Sequence, residues 1–502
     1  MQIRRELLTA SEFVSQLIPT NWVRVATRSH QRKIAMNEIL ERATADEQAR
    51  RAYRAVWRWH FYAGIFCIPL VIWLSCTGSI YLFKPQIEHW LDKPYDHLNI
   101  DGSQATPERI ANAALYAVPH SNLHYYELPP SANAAARVIV GRGSHEFRVY
   151  VHPQTLQILK IIDEEKRPMR IIFRLHGELL AGDWGSRVVE LAASWAIVLI
   201  VSGLYLWWPR QTERFAGVLW IRVRRGPRIF WRDLHAVTGL WVSAFALFLL
   251  LTGLPWAKSW GAYFQRIRQI TGTAVGRQDW TTGRSSELAQ REELNRSSIT
   301  TGAMDYSHHI GHAMSRMPSN LSLEGMNRVV PAATALHLAL PVLITPSTKE
   351  GAPWIVKSDA QNRTLRTVVL INPNTAEIVN RQDFSQRHIV DRVLGVGIAA
   401  HEGQLFGLAN QLLGLVTAMG LVTLSLSAVV LWWRRRHVGV LGAPLPITKP
   451  RWSIALTTVI VALALYLPAM TVSLVAVIIL EKFLFSRIPS VSRWLGLSAA
   501  SR

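Results

Sequence analysis

The chain has 502 residues, of which 49% are hydrophobic, and a formal net charge of +21. Its apolar residues form runs too long for an ordinary soluble enzyme, while the polar stretches between them imply sizeable parts outside a membrane. The positive charge does not point to nucleic acid, because the arginines stand in blocks beside the apolar runs, where membrane proteins place them.

Residues 1–56 read as a cytoplasmic extension. They are Arg-rich, interrupted by acids and without the apolar core of a signal peptide, so the first span is expected to direct insertion. Five runs, 61–83, 187–208, 236–256, 408–433 and 454–480, reach the roughly 20 residues that cross a bilayer core. With their flanks they give spans 57–83, 187–209, 235–257 and 408–433, and a fifth apolar segment, 453–481. The stretch before the first run carries eleven Lys/Arg against six acids, 209–234 carries seven against two, and 434–452 carries five against none. By the positive-inside rule the loops 210–234 and 434–452 are cytoplasmic, as is the N-terminus, and the long segments 84–186 and 258–407 are periplasmic in a bacterial inner membrane. Trp207, Trp208, Trp432 and Trp433 are interfacial anchors. Pro468 breaks the fifth segment, which reads as a kinked span, with a re-entrant hairpin as the alternative. A basic tail, 482–502, follows.

Cys67 and Cys76 are the only cysteines. Nine residues apart on a helix, they stand about 13 Å apart along the axis and cannot bridge. With no CxxCH and no four-cysteine cluster, any haem would be held by histidine alone.

The chain repeats itself. At an offset of 175, His60 falls on His235, Gly64 on Gly239, Thr77 on Thr252 and Gly78 on Gly253; at 225, His176 falls on His401, Gly182 on Gly407 and Ser202 on Ser427. Residues 151–158 match 371–378. Each unit reads helix, outer domain, helix, and the two copies are parallel about an axis along the membrane normal. The first outer segment is expected to hold a helix over 106–117 and strands over 123–128, 136–141 and 147–151. The second is expected to hold a helix over 323–338 and strands near 341–345, 354–357 and 367–371, after a polar, partly irregular insertion over 271–322.

The axis brings His60 to His235 near the cytoplasmic face and His176 to His401 near the outer face, the arrangement that bis-histidine haem requires. Interfacial placement alone would accept Trp, Tyr or Lys at these positions. Arg58 and Arg232 could neutralise propionates, and Trp57, Trp59, Phe61, Trp231 and Trp241 offer flat walls. Zinc or copper is the competing reading, kept open at the outer face by Glu178 and Glu402. Each ligating His needs an acceptor on its far nitrogen, which the sequence does not identify. Metal binding by His308, His309 and His312 competes with a plain polar loop. Residues 395–400 fit a dinucleotide fingerprint loosely but follow no strand.

The motifs Trp57-Arg58-Trp59-His60-Phe61-Tyr62-Ala63-Gly64, Leu175-His176-Gly177-Glu178 and Ser202-Gly203-Leu204-Tyr205-Leu206-Trp207-Trp208-Pro209-Arg210 resemble the PepSY-associated transmembrane family, from about residue 51 onward. The resemblance implies a polytopic α-helical membrane protein of tandem-duplicated units with two periplasmic α+β PepSY-like domains, similar to inner-membrane siderophore reductases. It makes His60, His235, His176 and His401 the axial-ligand candidates for two haem b groups, with Arg58 and Arg232 beside them. The expected activity is ferric-siderophore reduction by electrons from the cytoplasm, a quinol or a flavin-bearing partner, with lipid and the chelate as partners and no nucleic acid. The rival is a membrane-anchored sensor that binds peptides or proteases. A transporter is disfavoured, because apart from Glu190 the spans are nearly free of charge.

Overall fold

A computed structural model of the protein describes residues 20–209, 216–274, 281–303, 323–347, 349, 351–444 and 454–497. Five helical stretches are long and apolar enough to cross a membrane: Arg50–Leu82, Gly182–Trp207, Pro227–Trp256, Leu408–Arg435 and Pro468–Arg487. At most 28% of each apolar window is buried inside the protein. The rest of that surface faces either outward, where lipid can cover it, or into the space that the helices enclose.

The first four stretches belong to α1 (Thr20–Leu82), α5 (Gly182–Trp207), α6 (Pro227–Gly253) and α11 (Leu408–Arg435). Helix α1 packs on α5, α5 on α6, α6 on α11 and α11 on α1. The four close into a ring. Their starts are marked by residues suited to the task. Gly226 and Gly407, at φ +87° and +59°, admit the chain to α6 and α11 through left-handed backbone, and Pro227 opens α6 with a φ already helical.

On one side of the ring, here the sheet face, lies a single eight-stranded antiparallel sheet. Its strands are β1 (Asn122–Glu127), β2 (Ala136–Arg142), β3 (His145–Val151), β4 (Ile158–Asp163), β5 (Val342–Thr345), β6 (Trp354–Ser358), β7 (Thr367–Ile371) and β8 (Ile378–Asp383). The order is β4-β3-β2-β1-β5-β6-β7-β8. Where the sequence suggested two separate outer domains, β1 pairs with β5, Tyr126 opposite Ile344, and makes them one sheet. The turn before β4 and the turn before β8 are the same structure: His152 N–H bonds Gln157 O and Asn372 N–H bonds Glu377 O, each at 2.9 Å.

Helices α3 (Pro107–Ala117) and α9 (Met326–Ala335) cover the sheet's far side. Alternate strand residues, Val138, Val140, Val149, Val356 and Val369 among them, meet Ile110, Ala114, Met326 and Val329 in one apolar core.

The side of the sheet that looks toward the helices differs between its halves. Under β1–β4 it is closed. Helix α2 (Lys84–Asp96) supplies Asp96 to Arg137 at 2.5 Å and Asp92 to Tyr150 at 2.8 Å, and Arg148 pairs with Glu127 and Glu164. Helix α8 (Gly283–Ala303), in the insertion expected to be partly irregular, brings Arg291 to Glu146 at 3.0 Å and Asn295 to His124 at 3.0 Å. Under β5–β8 none of these helices intervenes, and Ile355, Lys357 and Val368 stay half-exposed.

The fifth apolar segment is two helices, α12 (Ile454–Tyr466) and α13 (Pro468–Phe483), broken at Leu467 by the proline that follows it. Its ends meet. Arg58 Nη1 donates to Pro444 O at 2.6 Å and to Gly496 O at 3.0 Å, Tyr62 donates to Leu495 O, and Leu441 N–H donates to Trp494 O. At the apex Trp260 Nε1 donates to Tyr466 O and Trp195 Nε1 to Ser473 Oγ, each at 3.0 Å. The segment thus returns as a hairpin to the face it left, here the loop face, and delivers the last helix, α14 (Pro489–Leu495), against Arg58 and Tyr62. A kinked single span does not describe it.

Candidate functional site

The ring of helices brings the four repeated histidines together in two pairs. His60 on α1 and His235 on α6 have ring centroids 6.5 Å apart with planes at 87°. His176, on α4 (Pro168–Glu178), and His401, on α10 (Ile389–His401), are also 6.5 Å apart, with planes at 76°. The outer pair stands on short helices of its own that precede α5 and α11, which the sequence did not separate from turns. The inner pair stands on spanning helices. Thr77, which holds His176, lies 17 residues beyond His60 on α1, about 25 Å along the axis.

One nitrogen of each ring is tied to a neighbouring helix in the same way. Nδ1 of His60 meets Ser202 Oγ at 2.9 Å, Nδ1 of His176 meets Thr77 Oγ1 at 3.0 Å, and Nδ1 of His401 meets Thr252 Oγ1 at 3.0 Å. Nδ1 of His235 meets Leu424 O at 3.1 Å and Ser427 Oγ at 3.3 Å. Each hydroxyl spends its proton on its own helix: Ser202 on Val198 O, Thr77 on Trp73 O, Thr252 on Phe248 O and Ser427 on Leu424 O. A hydroxyl has one proton, so its oxygen accepts from the imidazole, and a carbonyl can only accept. His235 is thereby an Nδ1–H tautomer, and the other three rings take the same assignment when each hydroxyl keeps its bond to its own helix. Nε2 of each keeps its lone pair and has no hydrogen-bond partner among the described residues.

Glycine fixes where the rings lie. A Cβ on Gly203 would come within 3.2 Å of His60 Cε1, one on Gly78 within 3.1 Å of His176 Cε1, and one on Gly253 within 3.3 Å of His401 Cε1. The residues after Thr77 and Thr252 are thus the floors on which the outer imidazoles rest. Burial lowers the pKa of His176 and of His401 to about 4, His401 being further disfavoured as a cation by His176. Both are neutral at pH 7.

All four histidines line one cavity of about 1470 Å³ that runs through the ring. Between the pairs its wall is mainly apolar, with Ile68, Val71, Ala246 and Leu421 beside the hydroxyls of Ser75 and Ser243, and Cys67 is there as a buried free thiol. At the loop face Trp57, Phe61, Arg232 and Arg435 line the mouth, with the Arg435 guanidinium 4.7 Å from the Trp57 ring centre. Arg58 is not among the lining residues; its guanidinium is spent on the tail. Trp59 and Trp241 face outward, and Trp231 lines no part of the cavity. Arg435, which the sequence did not single out, stands where Arg58 was expected.

At the sheet face Trp256 stands edge-on to His401, centroids 5.9 Å apart, and Arg363 lies over the Trp256 ring. Glu178 is committed to Arg174 at 2.6 Å. Burial raises the pKa of Glu402, against the pull of Arg363 and Lys84. Among the described residues no three of His, Cys, Asp and Glu gather into a metal cluster, which leaves a zinc site without its third ligand. Glu190 is a tie between helices: its carboxylate accepts Ser259 N–H at 2.8 Å at the start of α7 (Lys258–Ile270). Gly395 and Gly397 lie inside α10, against the Phe384 ring and Thr252, and form no phosphate loop. His308, His309 and His312 lie outside the described residues.

No curated protein matches the chain. A family model described as PepSY-associated TM region matches residues 57–435, which takes in both histidine pairs, the whole sheet and all four helices of the ring. The chain belongs to this PepSY-associated membrane family.

Proposed function

We propose that the protein is a haem-containing transmembrane electron-transfer protein that reduces a ferric siderophore or similar chelate on its sheet side. In this reading the sheet is periplasmic, the N-terminus is cytoplasmic, and the two halves are copies of one helix–outer domain–helix unit. The observation that carries it is the common state of the four histidines, each a half-buried imidazole with Nδ1–H given to a helix and an unshared Nε2 lone pair beside a cavity. Imidazole–metal bonds are about 2 Å long, so a metal shared by two Nε2 atoms sets the ring centroids roughly 6 Å apart. Both pairs stand at 6.5 Å. Two imidazoles suffice only if the remaining ligands come with the metal, as they do in a porphyrin.

Haem bound at the two pairs would supply one-electron chemistry. The chain's own residues do the rest. Ser202, Thr77, Thr252 and the Leu424 carbonyl fix the tautomer and raise the basicity of each ligating nitrogen. The apolar wall between the pairs excludes water. Arg435 places positive charge at the inner mouth, where propionate carboxylates would seek it, beside Arg232, whose guanidinium is paired with Asp233 at 2.6 Å. Trp256 and Arg363 separate the outer pair from the space under the sheet. For each quinol or reduced flavin oxidised on the cytoplasmic side two electrons are released, and two chelated ferric ions would each take one; hard oxygen ligands hold ferrous iron less firmly, so each chelate loosens.

A second reading, an anchored PepSY sensor without redox activity, is favoured by the absence of a three-ligand cluster among the described residues and by β8, whose exposed edge could receive a peptide strand. The absorption spectrum of the purified protein separates the two. A Soret band with the split bands of six-coordinate low-spin haem, reduced on His60→Ala or His401→Ala, supports the relay; colourless protein from haem-replete cells supports the sensor.

A further inference from the structure

The cavity does not end at the outer histidines. It continues up to the open half of the sheet, where Tyr125, Thr345, Ile355, Lys357, Val368 and Gln382 line it. These side chains alternate with the core residues of the same strands, so they form the ceiling of a vestibule whose floor is Trp256 and Arg363, against His401. Under β1–β4 the corresponding ceiling is sealed by α2 and α8. Among the described residues, only the second half leaves the outer pair open to a molecule approaching from the sheet side.

The charges around this vestibule do not balance. Asp391 is taken by Arg268, which reaches it at 2.8 Å, and Asp359 by Arg366 at 3.2 Å. Glu402 faces Arg363 and Lys84. Lys357 has no carboxylate within ion-pair distance among the described residues; its ammonium lies over the Tyr125 ring, 5.3 Å from the centre. A half-buried ammonium set over an aromatic face and outside every ion pair among the described residues attracts a negatively charged visitor, and low-dielectric walls strengthen that attraction.

We infer that the vestibule under β5–β8 is a binding site for a polyanionic, oxygen-rich metal chelate of the tricatecholate type, with Lys357 as its main charged contact, in preference to neutral or cationic trihydroxamate chelates. This rests on the proposed redox reading for the identity of the metal, and on the vestibule's own charges for the preference. A neutral chelate gains nothing from Lys357. A trianion gains an attraction that salt weakens.

The test uses the full chain in detergent and redox-inert gallium(III) complexes, so that binding is read by equilibrium dialysis without reduction. The trianionic gallium complex of a hexadentate tricatecholate is expected to bind at least about tenfold more tightly than the neutral complex of a hexadentate trihydroxamate. Lys357→Met should weaken the trianion about tenfold and Lys357→Glu about a hundredfold, while Lys357→Arg retains it and none of the three moves the neutral complex more than about twofold. Equal affinity for the two complexes, or trianion binding indifferent to Lys357→Glu in a variant that elutes as a single species like the parent, overturns the site. Colourless protein that binds the trianion through Lys357 would sink the redox reading and leave this one standing; haem-loaded protein without the charge preference would do the reverse.

Discussion

The inner and outer histidine pairs are alike in what they present and different in how they are held. Both place two imidazoles 6.5 Å apart, and all four rings take the same tautomer. The inner rings belong to the long helices themselves, and His235 leans partly on a backbone carbonyl that no substitution removes. The outer rings sit on short helices, and each depends on a Thr-Gly step of a spanning helix, Thr77-Gly78 or Thr252-Gly253. Helix α4 is held further by Arg170, which reaches Glu287 of α8 at 2.5 Å, and α10 by Arg268 through Asp391. The same arrangement is thus built twice, on spanning helices at one face and on short helices at the other, next to the half-open vestibule. That difference predicts unequal responses to equivalent substitutions.

Under the proposed haem reading, the largest effect is expected from the four histidines. His60→Ala should remove the haem of the inner pair and His401→Ala that of the outer pair, each halving the haem content by pyridine haemochrome and leaving the spectrum of the other pair intact. Loss of both groups on either substitution would mean that the pairs are not independent. Next come the acceptors. Thr77→Val or Thr252→Val removes the oxygen that fixes the tautomer while keeping the shape, and should weaken haem retention at the outer pair about tenfold to a hundredfold. Ser427→Ala should cost the inner pair much less, since Leu424 O still accepts. A competition assay with a haem-scavenging apoprotein ranks the three, and equal losses would break the comparison.

A pH effect follows from burial. In the haem-free protein His176 and His401 have pKa values of about 4, below the ordinary value near 6.5 of the unfolded chain. Between those limits the unfolded state binds more protons than the folded state. Stability is therefore fully present above about pH 6.5 and falls as the pH drops toward 4, by up to roughly 1.4 kcal/mol per pH unit for each residue. Chemical denaturation between pH 7 and 4.5 should show that slope, flattened in the His176→Gln, His401→Gln double variant; an unchanged slope would contradict the assignment. The smallest effect is expected at Gly78→Ala, where a methyl 3.1 Å from His176 Cε1 forces the ring to shift by a few tenths of an ångström. About 1–2 kcal/mol of stability should be lost, with a changed spectrum at the outer pair and none at the inner.

Much of this was legible in the sequence, and what was hidden has physical reasons. Hydropathy located the spans, and alternation located β1–β3 and β5–β7, because those strands bury one face in the core. Strands β4 and β8 escaped because, as the two edges of the sheet, they bury little, and β8 is exposed along nearly all its length. The repeat gave the four histidines, and it also put Thr77 on Thr252, Gly78 on Gly253 and Ser202 on Ser427. What it could not give was contact: Thr77 meets His176 across 99 residues and Ser202 meets His60 across 142. Arg58 had the right neighbourhood in the chain, two residues from His60, but that spacing points the two side chains to different faces of the helix, and Arg58 leaves toward Pro444 and Gly496, while Arg435 arrives from α11. The hairpin was ambiguous for the same reason, since only its closed base at Arg58 shows on which face the tail ends.

Haem quantification on the purified full-length protein tests the central claim most directly. Two equivalents of low-spin, six-coordinate haem per chain, falling to one in His60→Ala and to one in His401→Ala, is the predicted result. Protein that is folded, made in haem-replete cells and without a Soret band would contradict it.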